Sequence, residues 1–203
     1  RLGHEVYGVE PFKAASDEAN NNNIRTINSY FDKNLSESFL KIIGKVDVIC
    51  INNLFANIDD LKDFTKNCST IINNNGYLII ESSYLFSMLK KNIFDFVYHE
   101  HLSYFSIIPL MKFMKNFDFR IVNITKSNSK GGSFRYFFQK SKFDKKKSSK
   151  LNNLILNEKK LYKNFDNIVL NFCSNITTLK NNFERFFQMN TGKKIAAFGA
   201  SAT

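Results

Sequence analysis

At 203 residues, 43% of them hydrophobic, the chain can bury a core large enough for one domain and part of a second. No apolar run approaches the ~18–20 residues of a membrane span and no signal peptide is visible, so a membrane partner is not expected. The formal charge of +11 favours anionic partners, but the lysines are scattered without a nucleic-acid-binding motif, so no nucleic-acid partner is expected either.

Enrichment in Asn, Lys, Ile and Phe reads as genome-level compositional bias. Cys50, Cys68 and Cys173 lie far apart in apolar patterns with neither CxxC nor zinc spacing. They read as buried free thiols in a reducing compartment, which suits the cytoplasm.

Taken in chain order, EVYGV (5–9) predicts a short strand closed by Glu10-Pro11, residues 12–20 a helix, and IRTI (24–27) a second small strand. LSESFLKII (35–43) has helical spacing with Gly44 as its stop, and KVDVICI (45–51) is a β-branched strand. Asp59 is the expected cap of a helix carrying Leu61, Phe64, Cys68, Ile71 and Ile72, after which Gly76 opens the strand YLIIE (77–81). Strands alternating with helices in this way predict an α/β fold with a mostly parallel sheet covered on both faces. Ligands gather at the carboxyl ends of such strands, where Glu10, Asn52, Asn53 and Glu81 fall.

Residues 107–117 read as a helix, and FRIVNI (119–124) and SFRYFFQ (133–139) as paired strands joined by an SKGG turn. From about 148 to 187 apolar residues keep helical spacing, which at 1.5 Å per residue is on the order of 60 Å: two helices or one long connector. The Phe residues in that stripe read as packing surface. The Lys-rich SKFDKKKSSK (141–150) reads as a solvated loop, and IAAFGASA as the first strand and turn of another α/β unit.

The run DFVYHEHLSYFS (95–106) holds two of the three histidines, His99 and His101, around Glu100, with Tyr98 and Tyr104 beside them. A solvated loop or strand-edge neighbours would account for it. A metal pair would need a further ligand, and the remaining histidine, His4, is far upstream, so no metal site is assigned. Acid–base chemistry suits the set better: imidazole titrates near neutrality, a carboxylate favours its charged form, and phenols donate to a developing oxyanion.

The longer run ESSYLFSMLKKNIFDFVYHEHLSYFS (81–106) resembles the signature of SAM-dependent sugar C-methyltransferases, which act on nucleotide-linked 4-keto sugars in deoxysugar biosynthesis. GVEP (8–11), NNLFANIDD (52–60), KGGSFR (130–135) and AFGASA (197–202) occur in the same order as in that family. The resemblance implies a class I, Rossmann-like methyltransferase domain over 1–147, a connector over 148–190 and the start of a nucleotide-binding-like domain at 191–203. It implies S-adenosyl-L-methionine as cofactor, a nucleotide-sugar substrate, and a structural zinc only in an N-terminal region ahead of this chain. It further implies that the glycine-rich SAM loop precedes residue 1, so that the 203 residues alone are an inactive fragment.

By residue, the resemblance makes His101 the base that removes the proton α to the ketone, with Tyr98 and Glu100 lining the sugar site and holding the enolate. Glu10 would bind the SAM ribose hydroxyls and Asn53 would sit beside the cofactor. Tyr84, Ser133 and Arg135 would contact substrate. Asn57 stands where the family usually has histidine; an amide donates a hydrogen bond to an oxyanion but cannot exchange a proton near neutrality. Lys130 replaces a histidine often found before GGS, and Thr203 a frequent lysine. Other readings are a noncatalytic nucleotide-binding scaffold, which Asn57 favours, or a methyltransferase with a non-sugar substrate. A nucleic-acid methyltransferase lacks its Asn/Asp-Pro-Pro-aromatic motif here, and a dehydrogenase its G-x-G-x-x-G. The oligomeric state is open.

Overall fold

The computed structural model describes residues 3–143 and 146–196. Strand β1 (Gly8–Val9), helix α1 (Lys13–Asn21) and strand β2 (Thr26–Ile27) form a small parallel unit with Gly8 opposite Thr26. The strand expected over 5–9 shrinks to two residues because its partner is short: Ile24 N–H is bonded to the Ala19 carbonyl at 2.9 Å, closing α1 rather than extending β2. Helix α2 (Lys33–Ile42) starts two residues before the apolar spacing does, because Asp32 accepts Leu35 N–H at 2.8 Å and so satisfies one of the free donors of the first turn.

Strand β3 (Val46–Asn52) leads through a 3-10 turn (Phe55–Asn57) to helix α3 (Leu61–Ile71). The cap of α3 is Asp60, not Asp59: its Oδ1 accepts Lys62 N–H at 3.0 Å and Asp63 N–H at 2.9 Å. Strand β4 (Ile72–Ser83) follows with no intervening loop and is far longer than YLIIE. The Lys140 ammonium closes the junction, donating to the carbonyls of Ser69 and Ile72 that the helix end leaves free. The β3–β4 register shifts between Val46 and Val48, and Gly76 sits there because a Cβ would lie 2.8 Å from the Asp47 carbonyl oxygen.

Helices α4 (Leu85–Lys90) and α5 (Ile107–Lys115) precede strands β5 (Phe119–Ser127) and β6 (Ser133–Lys140). The main sheet has the order β3-β4-β6-β5, with β3–β4 parallel and both pairings of β6 antiparallel. The chain turns between β5 and β6 through three residues with positive φ, Lys130, Gly131 and Gly132. Helix α6 (Ser149–Tyr162) and helix α7 (Phe165–Met189) are separate, broken at Lys163–Asn164, so the long apolar stripe is two helices.

Leu78, Ile80, Tyr136 and Phe138 of the sheet share one core with Phe64 and Cys68 of α3, Leu110 and Met114 of α5 and Leu151 of α6. The expectation of helices on both faces is therefore not met among the described residues. Strand alternation puts Val48, Cys50 and Tyr77 on the other face, where all three are exposed. This also corrects the thiol expectation: Cys68 is buried, whereas Cys50 and Cys173 are exposed. Helix α6 belongs to the main core rather than bridging away from it. Along α7, Phe172 packs with Met88 and Leu89, but Phe183, Phe186 and Phe187 are at least 50% exposed and, among the described residues, do not form the packing surface expected of them. The AFGASA stretch and Thr203 lie outside the described residues.

Candidate active site

The carboxyl end of β3 is shaped by a left-handed asparagine. Asn53 has φ 54°, a region in which Asn is tolerated, and its N–H donates to the Glu81 carbonyl at 2.8 Å. Phe55 then plunges into the core, which tightens the chain into the 3-10 turn and turns the amides of Asn53 and Asn57 inward. The Oδ1 atoms of both are buried without a hydrogen-bond partner among the described residues. Buried acceptors are nearly always paired, so two orphaned amide oxygens at a strand end suit a site that receives a polar ligand.

The His-Glu-His loop lies across the carboxyl ends of β3 and β4. Ser103 N–H donates to the Ala56 carbonyl at 3.1 Å, just past β3. Phe105 bridges Tyr84, just past β4, and its carbonyl accepts Leu85 N–H at 2.9 Å. Within the loop His101 is 8% exposed, with its Nδ1 2.9 Å from the Phe96 carbonyl oxygen. A carbonyl only accepts, so Nδ1 carries a proton in this contact, while Nε2 has no hydrogen-bond partner among the described residues. The Tyr98 ring covers the imidazole at 4.4 Å between centroids, and the Tyr104 hydroxyl donates to the same Phe96 carbonyl at 3.1 Å. His99 and Glu100 are exposed.

The turn between β5 and β6 braces the start of this loop. The Lys91 ammonium donates to the Gly131 carbonyl at 2.7 Å, Lys130 lies 5.9 Å from the Phe96 ring centre, and a Cβ on Gly131 would run into Ile93. Glu10 ends β1 as expected; its Oε1 accepts Phe12 N–H at 2.8 Å, and Oε2 has no partner among the described residues.

The other sequence-derived candidates are engaged elsewhere. The Tyr84 ring stacks on Phe134 at 4.1 Å and its hydroxyl donates to buried Glu158 at 2.9 Å, which pushes the phenol well above its ordinary pKa through burial and the adjacent carboxylate. Ser133 is fully buried and donates to the Ser129 carbonyl. Arg135 pairs with Glu81, its Nε 2.9 Å from Oε2. Asn53 and Asn57 thus lie at the end of β3, and the loop that carries Tyr98 and His101 is tied to that end through Ser103, whereas Tyr84, Ser133 and Arg135 are not free groups.

Glu81 and Glu158 are the polar groups whose pairing the sequence did not disclose. The Ser129 hydroxyl, 2.8 Å from Oε1, is the main cause holding the Glu81 carboxyl below its usual value; burial opposes it and Arg135 adds to it. A carboxyl lowered on folding contributes stability above its unfolded value near 4.5 and loses it as pH falls through the folded value. Thermal melts between neutral pH and pH ~3 should therefore drop more steeply for wild type than for Glu81→Gln. The difference should be about 1–2 kcal/mol at neutral pH, allowing for solvent screening of half-exposed Arg135.

Residues 1–124 match the methyltransferase-domain family, and residues 128–203 match the C-methyltransferase C-terminal domain. The C-methyltransferase NovU of Streptomyces niveus is 29% identical over 137 residues, 68% of this chain and 33% of that protein, so the chain spans about a third of its relative. Among solved structures, the magnesium protoporphyrin IX methyltransferase ChlM of Synechocystis PCC 6803 superposes with a TM-score of 0.52 at 12% identity, over 68% of this chain and 65% of that one. The plantazolicin methyltransferase BpumL gives 0.51 at 12% identity, over 68% and 67%. At such identities the likeness concerns the fold, the Rossmann-like class I fold expected above. With more than half of its length matched, the chain belongs to the methyltransferase-domain family.

Proposed function

We propose that the protein is an S-adenosyl-L-methionine-dependent C-methyltransferase acting on a carbon α to the ketone of a nucleotide-linked 4-keto deoxysugar. The observation that carries this reading is the placement of His101: a mostly buried imidazole in the loop that crosses the strand ends, its Nδ1–H held by the Phe96 carbonyl, which leaves Nε2 as the nitrogen available for proton transfer. The match to a C-methyltransferase C-terminal domain and the likeness to NovU support carbon as the acceptor.

The residues fit the cofactor in kind. The free carboxylate oxygen of Glu10 can accept from vicinal ribose hydroxyls, and the unpaired Asn53 amide oxygen can accept from an amine. Bound there, the cofactor supplies an electrophilic methyl group on a sulfonium.

The chain's own part is proton transfer and positioning. Nε2 of His101 takes the proton from the carbon next to the carbonyl, and the imidazolium so formed keeps its Nδ1–H on Phe96. The Asn57 amide and the Tyr98 phenol are hydrogen-bond donors suited to the enolate oxygen. The enolate carbon is then the nucleophile, and fixed geometry converts its approach into a unimolecular step. Asn57 serves as a stabiliser without taking part in proton exchange, which leaves the proton chemistry to His101.

The test supplies the full-length protein with the cofactor and a dTDP-4-keto-6-deoxy sugar in deuterated water. Deuterium incorporation and methylation at C-3 are the expected result. Neither event across a panel of keto sugars, with the protein folded, would overturn the proposal and leave a nucleotide-binding scaffold.

A further inference from the structure

Glu158 of α6 is fully buried, and nothing in the proposed chemistry uses it. It interrupts an apolar stripe formed by Leu151, Leu154, Ile155, Leu161 and Tyr162, where a carboxylate is costly unless every lone pair is answered. Two backbone amides and two hydroxyls, those of Tyr84 and Ser106, answer it. Oε2 accepts the Tyr84 hydroxyl at 2.9 Å and Ile107 N–H at 2.8 Å; Oε1 accepts Ile108 N–H at 2.7 Å.

The two amides are first-turn donors of α5, which its own helix leaves free. The local cap does not serve them: Ser106 makes no side-chain cap bond, and its hydroxyl pairs with that of Tyr162. A residue fifty positions along the chain does the capping instead; the helix dipole and the two amides favour its charge, while burial, the larger influence, pushes its carboxyl above the ordinary value.

Helix α5 begins six residues after His101. The intervening segment is pinned upstream by His101 on Phe96, in the middle by Ser103 on Ala56, and downstream by Glu158 on Ile107 and Ile108. Glu158 lies in the stretch matching the C-methyltransferase C-terminal domain, and His101 in the stretch matching the methyltransferase domain. We propose that Glu158 is a positioning residue: by capping α5 from the second stretch it fixes the loop that carries His101 in the first. This rests on His101 being the base. The role is geometric, and a displacement near 1 Å in such a site costs about 100-fold in rate.

The decisive variant is Glu158→Gln in the full-length protein, of the same size but with one acceptor replaced by an NH2 that faces a backbone N–H. The readout is the nitrogen NMR signature of the His101 imidazole, assigned by its loss in His101→Asn and recorded without substrate. Wild type should show a single Nδ1–H tautomer. Glu158→Gln, with far-ultraviolet circular dichroism unchanged, should show averaging between tautomers, and its rate of α-proton exchange should fall about 100-fold while its KM for the cofactor stays within about twofold. Tyr84→Phe removes a donor but leaves the cap of α5 intact, and should keep the wild-type signature. A folded Glu158→Gln protein with the wild-type His101 signature overturns the proposal.

Wild-type amide exchange gives a second test that needs no variant. Residues 101–108 should open together with the middle of α6 as one unit; opening of 101–106 while Ile107 and Ile108 stay protected overturns the proposal. Both measurements are independent of turnover. If they succeed and wild type shows no exchange of any keto sugar, the catalytic reading fails and the positioning contact stands.

Discussion

Replacing His101 with alanine is expected to lower α-proton exchange, and methyl transfer with it, by about 10²–10⁴-fold, the usual contribution of a general base. Affinity for the cofactor should be unchanged, because the groups proposed to hold it are Glu10 and Asn53 and not the imidazole. Alanine also removes the bond to the Phe96 carbonyl and the contact with Tyr98, so a loop shift could mimic lost chemistry. His101→Asn separates the two. Its amide NH2 can still donate toward the Phe96 carbonyl, yet it offers no basic nitrogen. If both variants lose exchange while calorimetry with the cofactor matches wild type, the imidazole is the base; exchange surviving in either one removes His101 from that role.

Why His101 could be found in the sequence, and Glu158 could not, follows from the range of the interactions. Parallel strands ending in Glu10, Asn52-Asn53 and Glu81 are legible from runs of β-branched residues, and the strand-end rule then selects the ligand side. Helix starts were legible to within a residue or two, because Asp32 and Asp60 act on donors two or three residues ahead. Local patterns say less about which way a side chain turns. Tyr84 and Ser133 lie in motifs that resemble a substrate site, but the first points to α6 and the second to its own turn. Cys50 reads as buried in KVDVICI, yet falls on the open face because alternation sends it opposite Ile51. Glu158 did carry a signal, a carboxylate seven residues after Leu151 in an apolar stripe, but its partners stand about fifty and seventy residues away. Spacing flags such a residue as anomalous without naming what it caps.

Phe55→Ala is expected to cost about 3–5 kcal/mol, the largest effect on stability of any substitution near the site. The ring is wholly buried, 5.2 Å from Phe105 and 6.1 Å from Phe64 between centroids, so its removal leaves a cavity bounded by α3 and by the end of the His101 loop. Denaturant midpoints at constant slope should record this, with a fall in melting temperature on the order of 10 °C. Phe55→Leu keeps most of the volume and should cost less than about 1.5 kcal/mol. The functional consequence is separable from the thermodynamic one. Phe55 is flanked by Asn53 and Asn57 and packs on Phe105, so a cavity there lets both amides and the loop relax toward it. Well below its melting temperature, Phe55→Ala should still lose transfer activity, whereas Phe55→Leu should retain most of it. A loss of stability under about 1 kcal/mol with full activity would mean that Phe64 and Phe105 close over the gap and that the aromatic cluster is not what holds the strand ends in place.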